Sequence, residues 1–464
     1  YVGGTNKELV RSKMLKTYKF NDYEFSPKNI TKKYKSMIFD IIVGSTKEVT
    51  NKSIDEFKKN EMNNAKLLQS LYNNLNNWIL GECEYKLLEC YKKSDVLYIV
   101  DAIYEEDFFN CHNFYETINS GVHRGAYYLA ELATDAHEKA REKIARFVNV
   151  EPEQIVFTKN ATESLNLLSY SFLNATLKSR SNKNIDPRLV LQENDEILVS
   201  ELEHHANLIP WQELCEKIGT KLKWIPITDD GILDYSKVES LINKKTKIVS
   251  VSHMSNVLGS ITNVNLISKA AKSVGAFFFL DSCQSVPHMP VDFQKLNADA
   301  IAWSGHKMLG PLGIGLLAAT KELLEIMPPF ISGGSMIETV SMEKSTFASP
   351  PKRFEAGTPP AAEAVALGAA VDYLENLGME NVHNYERFLT SKMIDGLKNI
   401  KGVKIYGPTS KDDRGSTVSF ALEGLHPHDV GQVLDDLGIA VRVGNHCARP
   451  IMDKLKVQST TRAS

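Results

Sequence analysis

The sequence lacks several features that would place it in a narrow class of protein. Six cysteines occur among its 464 residues, but none of them forms a CxxC pair and their spacing is irregular. This argues against a zinc site and a disulfide framework, and it suits a reducing compartment. No apolar run approaches the roughly 20 residues that span a bilayer. We therefore expect no membrane-spanning segment and no metal site.

The chain also lacks a strong net charge. The counts of 54 Lys and Arg against 57 Asp and Glu give a formal net charge of -3. Such a balance creates no global basic field, so nucleic acid and anionic membrane surfaces are not expected partners. Hydrophobic residues make up 43% and charged residues 24% of the chain. This composition is typical of a globular protein with two or three domains at this length.

The N-terminal region has a composition of its own. Residues 1–60 contain 13 Lys and Arg against 7 Asp and Glu, with many Asn. A solvated or disordered extension has this composition, and so does the remnant of an organelle-targeting leader. Apolar residues at helical spacing predict a helix over 61–92. Because the chain starts at Tyr1 and stops soon after a polar run, we expect a processed or trimmed product that lacks a C-terminal element.

From residue 127 onward, predicted strands and helices alternate. The strands are buried-type apolar runs, and this order predicts a mostly parallel sheet covered by helices on both faces. The predicted strands lie at 154–158, 196–200, 221–225, 247–252, 276–280 and 300–303. The predicted helices lie at 130–147, 162–172, 207–218, 236–242 and 266–274.

After about residue 370 the order loosens. It becomes a helix, a strand, a helix and a strand, at 380–400, 417–421, 428–437 and 440–442. This pattern predicts a smaller α+β domain at the C-terminus. We therefore predict an N-terminal extension (1–100), a large domain (101–370) and a small, truncated C-terminal domain (371–464).

Chemically active side chains follow the predicted strands. Asp281 closes an apolar strand and Lys307 follows another, and both are costly to bury without a partner. Thr162 opens a helix, where it could bind phosphate or serve only as an N-cap. Each residue alone could have a structural role. Ligands bind at the carboxyl ends of strands in open α/β sheets, so these residues are expected to share one site.

Together, the strand-end residues supply the groups that pyridoxal phosphate requires. The cofactor needs an acid at its pyridine nitrogen, a ring to stack on it, hydroxyls at its phosphate and a lysine for its Schiff base. The pair His204–His205 could suggest a metal, but no carboxylate or thiol lies at ligand spacing. Stacking of His204 on the cofactor ring is the better interpretation. The candidate set is Thr162, His204, Asp281, Gln284, Ser304, His306 and Lys307.

Eight strings in this order resemble the cysteine desulfurases of pyridoxal-phosphate fold type I, specifically the SufS group, within the class V aminotransferases. The resemblance covers roughly residues 120–464 and implies a mostly parallel seven-stranded sheet. The strings are Val-His-Arg-Gly (122–125), Glu-His-His-Ala-Asn-Leu-Ile-Pro-Trp (203–211), Ser-Asn-Val-Leu-Gly (255–259), Ser-Gly-His-Lys (304–307), Gly-Gly-Ser-Met-Ile (333–337), Arg-Phe-Glu-Ala-Gly-Thr-Pro (353–359), Ala-Val-Arg-Val-Gly-Asn-His-Cys-Ala (440–448) and Arg-Ala-Ser (462–464).

The resemblance implies a role for each matched residue. Lys307 holds the cofactor, Asp281 and Gln284 contact its pyridine nitrogen and phenolic oxygen, and His204 stacks on its ring. Other residues are implied at the phosphate, near the substrate or as an active-site histidine. These are Thr162, Ser304, His306 and Thr358 of a neighbouring subunit at the phosphate, Asn256 beside cofactor and substrate, Arg442 and Arg462 near the substrate, and His123.

Cys447 is the implied nucleophile. A lone cysteine is usually an inert small hydrophobe, but Cys447 lies five residues after Arg442, and neighbouring cations favour the reactive thiolate. The resemblance implies that the enzyme converts L-cysteine to L-alanine and leaves a persulfide on Cys447. It also implies a homodimer and a SufE-like protein that accepts the sulfur for iron–sulfur cluster assembly.

Departures from the family pattern leave alternatives open. The segment at 97–106 lacks the usual Ala-Ala pair, and Asn445 and Leu312 replace the commoner His and Thr. Cys283, within the cofactor string, is interpreted as a packing substitution. A selenocysteine or cysteine sulfinate lyase would use the same cofactor, and an inactive scaffold paralogue is a third possibility. The N-terminus favours a plastid-type organelle such as an apicoplast, with bacterial cytoplasm as the alternative.

Overall fold

The computed structural model describes residues 110–181, 184–410 and 414–464. The predicted extension at 1–100, the predicted helix at 61–92 and the segment at 97–106 lie outside these ranges. The chain divides into two compact units, and the larger comprises Tyr104–Val430 with Arg442–Ser464. Residues 431–441 are the described part of the smaller unit. Within the described ranges, no helix combines the length and apolar character needed to cross a bilayer.

The larger unit contains a seven-stranded sheet in the order β1-β7-β6-β5-β4-β2-β3. Neighbouring strands among β2 to β6 pair in parallel, whereas β7 is antiparallel to both of its neighbours. The predicted mostly parallel sheet is therefore confirmed. Its strands are β1 (Ile155–Thr158), β2 (Glu196–Ser200), β3 (Lys221–Ile225), β4 (Thr246–Ser252), β5 (Phe277–Asp281), β6 (Ala300–Ser304) and β7 (Gly315–Ala319).

Helices cover both faces of this sheet. Successive side chains of a strand point to opposite faces, and in β5 they enter two different cores. Phe278 belongs to a cluster that includes Leu367, while Phe279 belongs to a second cluster that includes Trp211. The helices are α1 (Tyr128–Phe147), α2 (Ala161–Ser179), α3 (Ile209–Ile218), α4 (Val238–Leu241), α5 (Val264–Ser273), α6 (Phe293–Leu296), α7 (Lys321–Ile326), α8 (Ala361–Leu377) and α9 (Met379–Lys398), with a short helix at 110–117 before them.

A smaller antiparallel sheet follows, in the order β10-β11-β13-β12. This confirms the predicted smaller α+β element at the C-terminus. The predicted domain boundary at 370/371 falls inside α8, and the division into domains stays a prediction. The remaining elements are the hairpin β8 (Ile337–Val340) and β9 (Ser345–Phe347), then β10 (Val403–Tyr406), β11 (Val418–Leu422), α10 (Pro427–Asp436), β12 (Arg442–Gly444), α11 (Arg449–Leu455) and β13 (Thr460–Ala463).

Buried polar bonds fix the smaller sheet against the loop after β4. The guanidinium of Arg414 donates to the Leu258 carbonyl at 3.1 Å, and Ser419 Oγ in β11 donates to the Val257 carbonyl at 2.6 Å. Both side chains are buried. Because buried donors without acceptors are costly, these bonds define how β11 meets the larger sheet. They bring the C-terminal strands close to the carboxyl edge of β4.

Candidate active site

The carboxyl ends of β4, β5 and β6 meet at one edge of the large sheet. Ser252 lies opposite Asp281 in the β4–β5 pairing, and Asp281 lies opposite Ala302 in the β5–β6 pairing. Ser304 ends β6, and Lys307 lies in the turn that follows it. The strand-end residues that the sequence analysis singled out therefore share this edge, where open α/β sheets bind ligands.

Lys307 and Asp281 have free bonding capacity at this edge. The half-buried side-chain nitrogen of Lys307 makes no hydrogen bond or ion pair with any residue that the structure describes. Asp281 is 5% exposed, and its Oδ1 accepts a bond from the Cys283 backbone N–H at 3.0 Å. A buried carboxylate can accept several more bonds. Both residues could therefore engage a bound molecule.

His204 lies within electrostatic range of both groups. Burial lowers the pKa of His204 to about 4; the Asp281 carboxylate opposes this shift, and Lys307 and Arg442 add to it. His204 Nδ1 accepts a bond from the Ala206 backbone N–H at 3.0 Å, which fixes the ring and leaves the proton on Nε2. The imidazole is therefore neutral and oriented at physiological pH. This suits the predicted stacking role.

The N-terminus of α2 forms another side of the site. Asn160 caps this helix through its Oδ1, so Thr162 is not the cap and its side chain is exposed in the first turn. Ser304 Oγ accepts a bond from the Ala161 N–H at 2.9 Å. A Cβ at Gly315 would lie 2.3 Å from the Asn160 Cα, so only glycine permits this approach. A helix N-terminus with two hydroxyls suits a phosphate group.

Two predicted cofactor residues, Gln284 and His306, lie near this edge, and their side chains make no hydrogen bond to the residues that the structure describes. Gln284 is half-buried and follows the buried Cys283, while His306 is exposed beside Lys307. Burial raises the pKa of the Cys283 thiol and the Asp281 carboxylate adds to this shift, which brings the pKa to about 12. Cys283 is therefore a neutral thiol at physiological pH, which agrees with a packing substitution rather than a second nucleophile.

The loop after β12 places Cys447 beside a cation. Arg442 Nη2 donates to Cys447 Sγ at 3.4 Å, and the thiol is half-buried. Asn445 Oδ1 accepts a bond from the Cys447 backbone N–H at 3.0 Å. His446 and Cys447 have φ values of 53° and 58°, a left-handed conformation that non-glycine residues seldom adopt. The sulfur thus lies at a tight turn, with a guanidinium ready to stabilise negative charge on it.

Asn256 and Arg462 join this loop to the sheet edge. Asn256 Nδ2 donates to the His446 carbonyl at 2.7 Å, and Arg462 Nη1 donates to the Asn256 carbonyl at 2.9 Å. Burial and, to a smaller extent, the neighbouring Arg442 lower the pKa of Arg462 to about 10, and Cys447 opposes the shift. Asn256 Oδ1 and Arg462 Nε are buried without a partner among the described residues. Such orphaned groups are expected where a substrate completes the bonding.

The structure does not connect His123 or Thr358 to this edge within the described chain. His123 Nε2 lies 3.0 Å from Glu138 Oε1, and no bond joins His123 to a described residue of the site. Thr358 is exposed. The roles predicted for both residues stay predictions.

Sequence reasoning missed Glu203, which precedes His204 in the chain. The Glu203 carboxylate is 1% exposed and accepts bonds from Ser200, Asn207 and Ser252, the last through both its hydroxyl and its backbone N–H. Burial raises the pKa of Glu203 to about 7, against the effect of these donors. Nothing in the sequence distinguishes Glu203 from Glu201, which also follows the buried strand β2, because the partners that a buried carboxylate needs come from distant residues such as Ser252.

These groups fit pyridoxal phosphate. The free Lys307 amine, the Asp281 carboxylate, the ring of His204 and the hydroxylated helix N-terminus match the amine, acid, aromatic face and anion site that the cofactor requires. Asn256 Oδ1 and Arg462 Nε add unpartnered polar atoms on the side of Cys447. The site therefore combines a cofactor pocket with a nucleophilic thiol.

Comparison with known proteins agrees with this chemistry. The family model for aminotransferase class-V matches residues 108–464. A probable cysteine desulfurase 2 of Mycobacterium leprae is 51% identical over 351 residues, which cover 76% of this chain and 81% of the relative. A probable cysteine desulfurase of Streptomyces coelicolor is 49% identical over 352 residues, covering 76% and 82%.

Solved structures show the same relationship. The apo structure of a cysteine desulfurase from Thermococcus onnurineus superposes with a TM-score of 0.72 at 39% identity and covers 78% of this chain and 86% of its own. The cysteine desulfurase CsdA from Escherichia coli, solved as an S-sulfonic acid, gives a TM-score of 0.69 at 34% identity with the same coverage. On the family match and these identities, the chain belongs to the aminotransferase class-V family.

Proposed function

We propose that this chain is a pyridoxal-phosphate-dependent cysteine desulfurase that converts L-cysteine to L-alanine. The observation that carries the proposal is the Cys447 thiol, 3.4 Å from an Arg442 nitrogen. Arg442 and Lys307 also lower the pKa of His204, and Asp281 raises it. Cofactor groups and a nucleophilic sulfur therefore lie in one electrostatic environment. Relatives at 51% and 49% identity are described as probable cysteine desulfurases.

The residues divide the reaction between them. When bound, pyridoxal phosphate supplies an electron sink that makes the substrate Cα–H acidic. Lys307, whose amine has no described partner, takes the Cα proton and later returns a proton to the product. The Cys447 thiolate attacks the substrate sulfur, so that the substrate C–S bond breaks and an S–S bond forms. L-cysteine and the Cys447 thiol thus become L-alanine and a Cys447 persulfide, with no external oxidant.

Two arginine side chains are placed to bind the substrate carboxylate and to stabilise the Cys447 thiolate. Arg462 is held by the Asn256 carbonyl and keeps its buried Nε unpartnered among the described residues. A planar guanidinium binds a carboxylate through two parallel bonds, so Arg462 suits the substrate carboxylate. Arg442 stabilises the thiolate before its attack on the substrate sulfur.

Mass spectrometry tests the proposal directly. After incubation of the enzyme with L-cysteine, we expect free alanine and a gain of about 32 Da on the peptide containing Cys447, as for one added sulfur. The Cys447→Ala variant should retain the visible absorption of the bound cofactor and lose sulfide release from cysteine. Full cysteine activity in that variant would instead favour a selenocysteine or cysteine sulfinate lyase.

The same proposal extends to partners and location. A SufE-like protein would take the persulfide sulfur for iron–sulfur cluster assembly, and the exposed Thr358 would reach the phosphate of a second subunit in a homodimer. The basic, Asn-rich N-terminus supports a plastid-type organelle such as an apicoplast. Sedimentation of the holoenzyme tests the dimer. Residues 1–110 fused to a fluorescent reporter test the location, and a cytosolic signal would contradict it.

A further inference from the structure

The two adjacent histidines after β2 face different parts of the site. His204 responds electrostatically to Asp281 and Lys307. His205 instead contacts the loop that carries Cys447, through one bond from its backbone and one to its side chain. The cofactor chemistry described above assigns no task to His205. Both of its contacts are with the segment that positions the Cys447 sulfur.

The two bonds of His205 hold the chain at Cys447 itself and at the start of α11. Its backbone N–H donates to the Cys447 carbonyl at 2.7 Å. Its Nε2 accepts a bond from the Arg449 backbone N–H at 3.1 Å. Arg449 is the first residue of α11, whose N-cap residue Ala448 provides no side-chain cap. The imidazole of His205 therefore satisfies one of the free N–H groups at this helix start.

The Cys447 turn needs such support from outside. His446 and Cys447 are consecutive non-glycine residues with positive φ, and each such residue costs of the order of 1 kcal/mol or more. The bond from the Cys447 N–H to Asn445 closes the turn internally. The start of α11, which follows the turn directly, is held by His205. Release of this end would let the backbone relax toward ordinary φ values and carry the sulfur with it.

We infer that His205 is a positioning residue that holds the Cys447 thiol in register with the cofactor-facing edge, through its bond to the start of α11. Because Nε2 accepts this bond, the ring proton lies on Nδ1. Burial also lowers the pKa of the half-buried His205, which keeps the acceptor available at neutral pH. The role in catalysis rests on the proposed function, since it presumes that Cys447 attacks the substrate sulfur.

Three substitutions of His205 distinguish the loss of its hydrogen bond with Arg449 from the loss of the side chain itself. The amide oxygen of glutamine lies as many bonds from Cα as His Nε2, whereas that of asparagine reaches only as far as Nδ1. His205→Gln can therefore accept from the Arg449 N–H, while His205→Asn and His205→Ala cannot. All three variants keep the backbone bond to the Cys447 carbonyl. His205→Asn is thus a polar control without the reach.

The first measurement is hydrogen–deuterium exchange of the peptide covering 444–452, in holoenzyme without substrate. We expect the amides of this peptide to exchange about tenfold faster in His205→Ala and His205→Asn, as for the loss of one hydrogen bond. His205→Gln should return the exchange close to the wild-type rate. Wild-type exchange in the alanine variant would overturn the inference, whether or not the enzyme makes a persulfide.

The second measurement is the single-turnover rate of persulfide formation on Cys447, with the visible absorption of the cofactor followed in parallel. We expect the rate to fall about tenfold in His205→Ala and His205→Asn, with unchanged cofactor absorption and KM, and to recover in His205→Gln. A rate that stays at the wild-type value, or that falls together with cofactor binding in all three variants, would contradict the role. Failure of the wild-type enzyme to form any persulfide would refute the proposed function instead.

Discussion

Asn445, which departs from the family pattern, closes the turn that carries Cys447. Its Oδ1 accepts from the Cys447 backbone N–H, and its amide has no bond to the Cys447 sulfur among the described residues. We expect Asn445→Ala to slow persulfide formation about five- to tenfold, because one turn-closing hydrogen bond contributes about 1 kcal/mol. Rapid-quench mass spectrometry of the Cys447 peptide measures this rate.

Asn445→Asp is the matched control for this prediction. A carboxylate can close the same turn, but its negative charge disfavours a thiolate nearby. We expect Asn445→Asp to preserve the exchange rate of the loop amides and to slow the alkylation of Cys447 at neutral pH. Equal rates of persulfide formation in the alanine variant and the wild type would show that the turn closes without Asn445.

The buried Glu203 carboxyl makes the free energy of unfolding depend on pH. Burial raises its pKa to about 7 from an ordinary value near 4.5, so the folded state binds this proton more tightly than the unfolded chain. The associated stability is complete below about pH 4.5 and is lost as the pH rises through 7. We expect Glu203→Gln to remove this decline, which urea unfolding from pH 5 to pH 8 would reveal.

The same substitution should lower stability at pH 5, where the wild-type decline has barely begun. In glutamine an NH₂ group replaces one carboxylate oxygen and must face either the Asn207 amide or the Ser252 N–H, both of which are donors. An unsatisfied buried donor costs about 1–3 kcal/mol. A glutamine variant as stable as the wild type at pH 5 would show that the four donors do not require two acceptor oxygens.

At the scale of single residues, the sequence predicted the groups whose position the sheet determines. Asp281, Ser304 and Lys307 end or follow parallel strands, whose carboxyl ends must meet at one edge. Glu203 and His205 could not be assigned in this way. Their partners, such as Ser252 and Arg449, lie 49 and 244 residues away along the chain, and only the folded structure brings them together.

At the scale of secondary structure, the antiparallel strand β7 was not among the strands identified along the chain. Its sequence, Gly-Leu-Leu-Ala-Ala, lacks the β-branched and aromatic residues that favour strands, and its pairing depends on the distant β1. The helix α8 was missed for a related reason. It is rich in alanine and nearly apolar, with buried residues around much of its circumference, so it has no amphipathic period to detect.

Gly315 links β7 to the phosphate side of the site. It pairs with Thr158 of β1 and Ser304 of β6, and a Cβ there would lie 2.3–2.7 Å from three backbone atoms of Asn160. We expect Gly315→Ala to destabilise the protein by about 1–3 kcal/mol, as overpacking does. Because the displaced backbone begins α2, cofactor affinity should fall as well. Urea unfolding and titration of the visible cofactor absorption measure the two effects.

Gly396→Ala is the control for the same chemical change. Gly396 lies in an exposed part of α9 with nothing within 4 Å of an added Cβ. Alanine in a helix interior is more favourable than glycine by about 1 kcal/mol, so this variant should be more stable than the wild type. Destabilisation by Gly396→Ala, or unchanged cofactor affinity in Gly315→Ala, would contradict the account of the close approach.

At the scale of the whole molecule, three buried histidines couple folding to pH. His137, His253 and His446 are 1–6% exposed, and they come from α1, the loop after β4 and the Cys447 loop. The pKa of each is lowered to about 4, mainly by burial, and Arg141 and Arg462 contribute to the shifts of His137 and His446. Each Nδ1 also lacks a described partner. Both the large sheet and the Cys447 loop thus depend on neutral imidazoles.

These lowered pKa values predict loss of stability in mild acid. Unfolded histidine binds a proton below about pH 6.5, whereas the folded protein resists until about pH 4, so stability is complete above 6.5 and falls between these values. Each histidine contributes up to about 1.4 kcal/mol per pH unit to the slope of the free energy of unfolding. Protonation of Glu203 has the opposite sign and offsets the contribution of one of the three histidines. We expect the urea midpoint of His253→Gln to decline less steeply from pH 6.5 to pH 4.5 than that of the wild type. The difference should be about the slope that the uptake of one proton contributes. The exposed His426→Gln should leave the slope unchanged. Equal slopes in both variants would show that His253 is already protonated in the folded enzyme.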